Sequence, residues 1–206
     1  MIQTVAHSVW ASVWPMAIFN ADNDSSAFAW ASTVVTFVAA LAAAGLGALD
    51  SERRSTWFGV AAVFALLSLD DGVGVHERLG GIADDLGLWE HANRAVGLVL
   101  IGPLLLAGFL LTWRATLAAE PETRRFARVG LLLLAGAALL EAVGSQLVRR
   151  AGYAGPDPPY LVEVLLEEGA ELAGWVLVAT ALVAMTCATL VRVGEAASLP
   201  RSSQPR

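Results

Sequence analysis

The chain contains no lysine; its 13 basic residues are all arginine. That excludes chemistry built on a lysine Schiff base and any phosphate-binding loop that needs a lysine. Cysteine is limited to Cys187, so no internal disulfide can form and the redox compartment is not legible. Cys187 lies in an apolar run and reads as a small buried hydrophobe. Charged residues make up 16% of the 206, and no arginine-rich run with interleaved aromatics occurs, so no nucleic-acid partner is expected. No basic segment precedes the first apolar residues, and no cleaved signal peptide is expected.

What the chain has in abundance is apolar surface. Hydrophobic residues make up 56% and the mean hydropathy is +0.62, in runs approaching the ~20 residues that cross a bilayer. The expected fold is therefore all-α: an integral membrane helical bundle with five transmembrane helices plus an N-terminal interfacial helix. The spans are expected at about 27–49, 56–77, 95–113, 126–148 and 161–191. Residues 1–26 form the interfacial segment and a loop, where Trp10, Trp14 and Phe19 around Pro15 suit the headgroup layer. A sixth span is the alternative for residues 1–20. The polar run 20–26 reads as a loop ending in a helix cap; it lacks the spacing and the closing glutamate of a calcium loop. Pro103 predicts a kink near Val99. A polar connection from Arg78 to Asn93 has room for a short surface helix, and residues 192–206 read as a disordered cytoplasmic tail.

Arginine placement sets the expected orientation. Arg53, Arg54, Arg114, Arg124, Arg125, Arg128, Arg192, Arg201 and Arg206 fall on one side, against Arg78, Arg94, Arg149 and Arg150 on the other. This predicts an external N-terminus and a cytoplasmic C-terminus, with a bacterial plasma membrane as the expected location.

The residues that resist a purely structural account are acidic. Asp70 and Asp71 end an apolar segment and are followed by His76 and Glu77. An ionisable group at mid-membrane costs roughly 2.5–3.5 kcal/mol on insertion scales and usually faces a bundle interior. In the expected topology Asp70, Asp71 and Glu141 lie roughly 10 Å below the outer ends of their spans, and Glu167, Glu168 and Glu171 about 9–15 Å down theirs. Three helices thus bring acids to one depth in the outer leaflet. Asp70, Gly74 and Glu77 share one helical face, as do Glu163, Glu167 and Glu171. Glu163 is stabilised by its helix N-terminus and is left out of the ligand pool.

So many carboxylates in a low-dielectric layer need protons, arginines or a metal as compensation. The preferred reading is a divalent metal ion of unknown identity, drawing on Asp70, Asp71, His76, Glu77, Glu141, Glu167, Glu168 and Glu171. Mixed carboxylate and imidazole ligands suit zinc, manganese or iron; carboxylates alone suit magnesium or calcium. The Glu-x-x-His pattern of helical di-metal carboxylate sites does not occur, and Glu168-x-x-Glu171 matches it only in part. A metal there would serve hydrolysis or modification of a lipid or membrane-soluble substrate. Two other classes stay open. One is a non-catalytic subunit whose acids pair with Arg78, Arg149 and Arg150 to hold the bundle. The other is a proton or cation transporter, against which the absence of an inverted repeat counts.

Overall fold

In a computed structural model the described residues are 26–75, 78, 79, 82, 85, 86, 92–153 and 157–198. The expected N-terminal interfacial helix, His76 and Glu77 lie outside them. The described residues are helical and contain no strand.

Helix α1 runs Ala27–Leu49, as the hydropathy pattern predicts. Ser26 starts it, its hydroxyl accepting the Ala29 N–H at 3.2 Å. Asp50 ends it and prepares the next helix: its N–H reaches Leu46 O at 2.8 Å, and its carboxylate accepts the N–H groups of Glu52 and Arg53, each at 3.1 Å. Helix α2 is Arg54–Val73. It stops four residues earlier than expected, because Gly74 adopts a left-handed conformation (φ 63°) and its N–H closes onto Asp70 O at 2.6 Å. Glycine carries no Cβ penalty there, which makes it a natural helix terminator. The expected face Asp70–Gly74–Glu77 is therefore broken at its second member.

Helix α3, Ala92–Ala115, continues through Pro103 and ends in a 3₁₀ turn, Thr116–Ala118. Helix α4, Pro121–Leu139, has proline in its first turn, where the missing N–H costs nothing. The region expected as one fourth span is interrupted: a π-helical turn, Leu140–Gly144, separates α4 from the short α5, Ser145–Arg150. The last helix, α6, spans Pro158–Ser198. It carries helix seven residues into what the sequence reads as a disordered tail.

Among the described residues, four helical segments are long and apolar enough to cross a membrane: Ala27–Leu49, Arg54–Val73, Ile101–Ala118 and Pro158–Ser198. Helix α4 is not among them. Glu122, Arg124, Arg125 and Arg128 crowd its start, and the π turn ends its regular ladder at Leu139.

Helix α1 packs on α2 and on α6, α4 packs on α6, and α3 lies against α2 while touching α4 only lightly. Small residues allow the approach, as expected where helices pair without a hydrophobic drive from water. A Cβ on Gly130 would stand 2.7 Å from Gly174 O, so α4 and α6 meet backbone to backbone. Between α1 and α6, Thr186 donates to Ala42 O at 3.0 Å. The core comprises Leu46, Trp57, Val60, Phe64, Leu131, Trp175, Val178 and Leu182, with the rings of Phe64 and Trp175 edge to face at 5.2 Å. Outside it, Trp30 (70% exposed), Phe37, Leu41, Leu66 and Leu132 face outward. An exterior this apolar suits lipid rather than water. Cys187, expected to be buried, is exposed on that surface.

Candidate functional site

The carboxyls gather where α1 begins, α2 ends, and the π turn meets α6. Two successive α1 residues fix the level. Ser32 donates its hydroxyl to Glu171 Oε1 at 3.2 Å, and Thr33 donates to Asp71 Oδ2 at 2.8 Å. Ser68 in turn donates to Thr33 O at 2.9 Å, locking α2 against α1. Glu171 Oε1 also accepts the indole N–H of Trp175, one turn along α6, at 3.3 Å. Asp71 on α2 and Glu141 in the π turn both lie within electrostatic reach of Glu171.

A second group sits nearer the start of α6. Glu167 is within reach of the charges of Glu141, Glu163 and Glu168, with Glu163 one turn before it on the same face of α6. Glu163 is 7% exposed, and its Oε1, sealed from solvent, meets no hydrogen-bond donor among the described residues. That oxygen lies 3.3 Å from where a Cβ on Gly144 would stand, so the carboxyl rests against the π turn. π turns are single-turn irregularities often found at functional sites. Two carboxylates one turn apart repel, and one buried without a donor is costly. A cation, whether a proton or a larger ion, is what such a pair accommodates.

Of the residues named from sequence, Asp71, Glu141, Glu167 and Glu171 are thus linked through named neighbours, with Glu168 beside Glu167. Asp70 is buried at 8% exposure on the same final turn of α2. His76 and Glu77 lie outside the described residues. No group of three or more His, Cys, Asp or Glu side chains among the described residues is arranged to hold one metal ion. Arg78 and Arg150, offered as pairing partners, are exposed and pair with no acid among the described residues. The side chain of Arg149 lies outside them.

Sequence reasoning missed Glu163, assigning it to the helix N-terminus. Helix α6 starts at Pro158, which leaves Glu163 beyond the first turn. The four-residue spacing places it on the face of Glu167 and Glu171, but the expected helix-terminus role keeps it out of the ligand pool. It also missed Ser32 and Thr33, two adjacent hydroxyls in a largely apolar helix, and Trp175, four residues from Glu171.

Comparison with curated proteins and with solved structures gives no match. A family model does match, over residues 5–186, and the chain belongs to that family, described as a domain of unknown function (DUF8692).

Proposed function

We propose that this protein is a multi-span membrane protein that binds a hard divalent cation, of the magnesium or calcium class, among the carboxyls between α6 and the π turn. The observation that carries the reading is the buried Glu163 Oε1, which lacks a donor and has Glu167 one turn away within electrostatic reach. A doubly charged ion offsets two carboxylates at once. Magnesium is commonly held by one or two carboxylates with waters completing its shell, so a closed set of protein ligands is not required. Among the described residues the donors do not form the group of three or more protein ligands that a zinc or iron centre needs.

The proposal keeps the orientation that arginine placement implies, with the carboxyls in the outer leaflet and the C-terminus cytoplasmic. It counts the 126–148 region as a fifth span despite its π turn, with residues 1–26 at the interface. Modification of a lipid or membrane-soluble substrate finds less support. Ser68 commits its hydroxyl to Thr33 O and Ser32 commits its own to Glu171, so neither is free as a nucleophile.

A second reading has the same crowding behind it: Glu163 and Glu167 lie within reach of each other's charge, and a shared proton relieves that repulsion as a metal would. The site would then carry a proton in place of a metal. Thermal unfolding of the full chain in detergent separates the two. Magnesium or calcium should raise the midpoint after EDTA treatment, and Glu163→Gln should abolish that rise. A midpoint indifferent to divalent cations but dependent on pH, and made pH-independent by Glu163→Gln, overturns the metal reading in favour of the proton.

A further inference from the structure

The other end of the bundle is rich in arginine and holds one guanidinium without a hydrogen-bond acceptor among the described residues. There the 50–53 connection, the end of α3 and the start of α4 come together. Arg53 donates to Ala115 O at 3.4 Å and Arg124 to Leu117 O at 3.1 Å, so these two cap the end of α3. Arg54, Arg114 and Arg125 are exposed around them.

Arg128 differs. It lies seven residues beyond Pro121, ~10 Å along α4 from the helix start. Its guanidinium sits over the Trp113 ring, 4.9 Å from the centroid, and that ring is itself stacked on Phe109 at 5.5 Å. Its Nε is sealed from solvent and donates to nothing, and no acid pairs with it among the described residues. The aromatic platform takes the face of the guanidinium but leaves its in-plane donors unused. Arginine does not discharge by losing its proton, and an unanswered donor in apolar surroundings is costly. Phe126, Val129 and Leu132 are exposed nearby on α4, so the surroundings are apolar and outward-facing. Of its donors only Nε is sealed; the Nη groups of this half-buried side chain keep an open side, so an anion from beyond the described residues can reach them. By the arginine rule this end faces the cytoplasm, where the leaflet carries anionic lipid.

We propose that Arg128, braced on Trp113 at the lightly packed seam between α3 and α4, holds the phosphate of an anionic phospholipid from the inner leaflet. The planar fork answers two phosphate oxygens, and Arg114 and Arg125 add attraction at longer range. The inference stands apart from the carboxyl site and does not need its occupant.

The test uses the full chain in a non-ionic detergent, with phosphatidylglycerol, phosphatidylcholine or inorganic phosphate added. Native mass spectrometry should show phosphatidylglycerol retained in preference to phosphatidylcholine, with a matching rise in the unfolding midpoint. Arg128→Gln should weaken phosphatidylglycerol binding about tenfold, the scale of a lost charged hydrogen bond, while the exposed Arg125→Gln should leave most of it. Arg128→Lys should fall between, since it keeps the charge without the fork. Should Arg128→Gln not fold, Trp113→Leu removes the platform and must lower the same preference. Equal retention of the two lipids by the unsubstituted protein overturns the proposal, as does full retention by a folded Arg128→Gln. An equal response to inorganic phosphate makes this a free-phosphate site and overturns the lipid assignment.

Discussion

Ser32 and Glu171 stand 139 positions apart in the chain, yet a 3.2 Å hydrogen bond joins them across α1 and α6. With Thr33 bound to Asp71, two neighbouring hydroxyls tether acids from two other helices. Hydrogen bonds of this kind between membrane helices contribute about 0.6–2 kcal/mol each. Ser32→Ala and Thr33→Val should therefore each lower unfolding free energy by about that amount. Denaturation in mixed micelles measures it. A loss near zero in both would mean the hydroxyls do not tether the acids.

The crossing of α4 and α6 permits no side chain. A methyl on Gly130 would meet Gly174 O at 2.7 Å, and one on Gly174 would meet Leu134 Cγ at 2.8 Å. Gly130→Ala should cost about 1–3 kcal/mol, the range for overpacking, because the obstacle is backbone and cannot rotate aside. Gly174→Ala should cost less, since a leucine side chain can give partway although Gly130 O at 2.9 Å still crowds it. The two unfolding midpoints give the order.

Two other glycines make an internal control. Nothing lies within 4 Å of a Cβ built on Gly136, whereas one on Gly144 would stand 3.3 Å from Glu163 Oε1. Gly136→Ala should stabilise by about 0.5–1 kcal/mol, as alanine does in a helix interior. Gly144→Ala should forgo that gain and disturb cation binding at Glu163. If both behave alike, the carboxyl does not rest on the π turn.

Glu163→Gln should change sign with conditions. In EDTA it removes a charge from beside Glu167 and should leave the protein as stable as before or more so. In magnesium at about a hundredfold over Kd, the unsubstituted protein should gain about 2.7 kcal/mol that the variant lacks. Paired melts with and without the ion supply the comparison.

Long apolar runs with a capping residue were the easiest part to read. Helix α1 matches its expected limits because Ser26 and Asp50 both carry end signals in their side chains. The end of α2 was misplaced because residues 75–77 look helical in composition, and only the left-handed backbone of Gly74 stops the ladder. The π turn leaves no helix-breaking signature: Leu140–Gly144 contains no proline and, Glu141 apart, its run stays apolar. The level shared by the acids was legible from counting residues along spans. What counting could not supply was Glu163 as the most enclosed of them, or the hydroxyls of α1 that sort the acids into two groups. Those depend on which faces meet, and the Gly130–Gly174 crossing of α4 and α6 helps decide that.

The Gly130–Gly174 crossing has a geometric corollary. Glu141 lies eleven residues on from Gly130, and Glu163 lies eleven residues before Gly174. Two arms of equal count leave one pivot toward the same end of the molecule, so the pivot behaves as the zero of a ruler from which both carboxyls are measured. Deleting one residue from either arm would slide its acid ~1.5 Å and swing it ~100° about the axis. The residue count of each arm, more than the identity of its outward-facing apolar members, is what holds the two acids at one level.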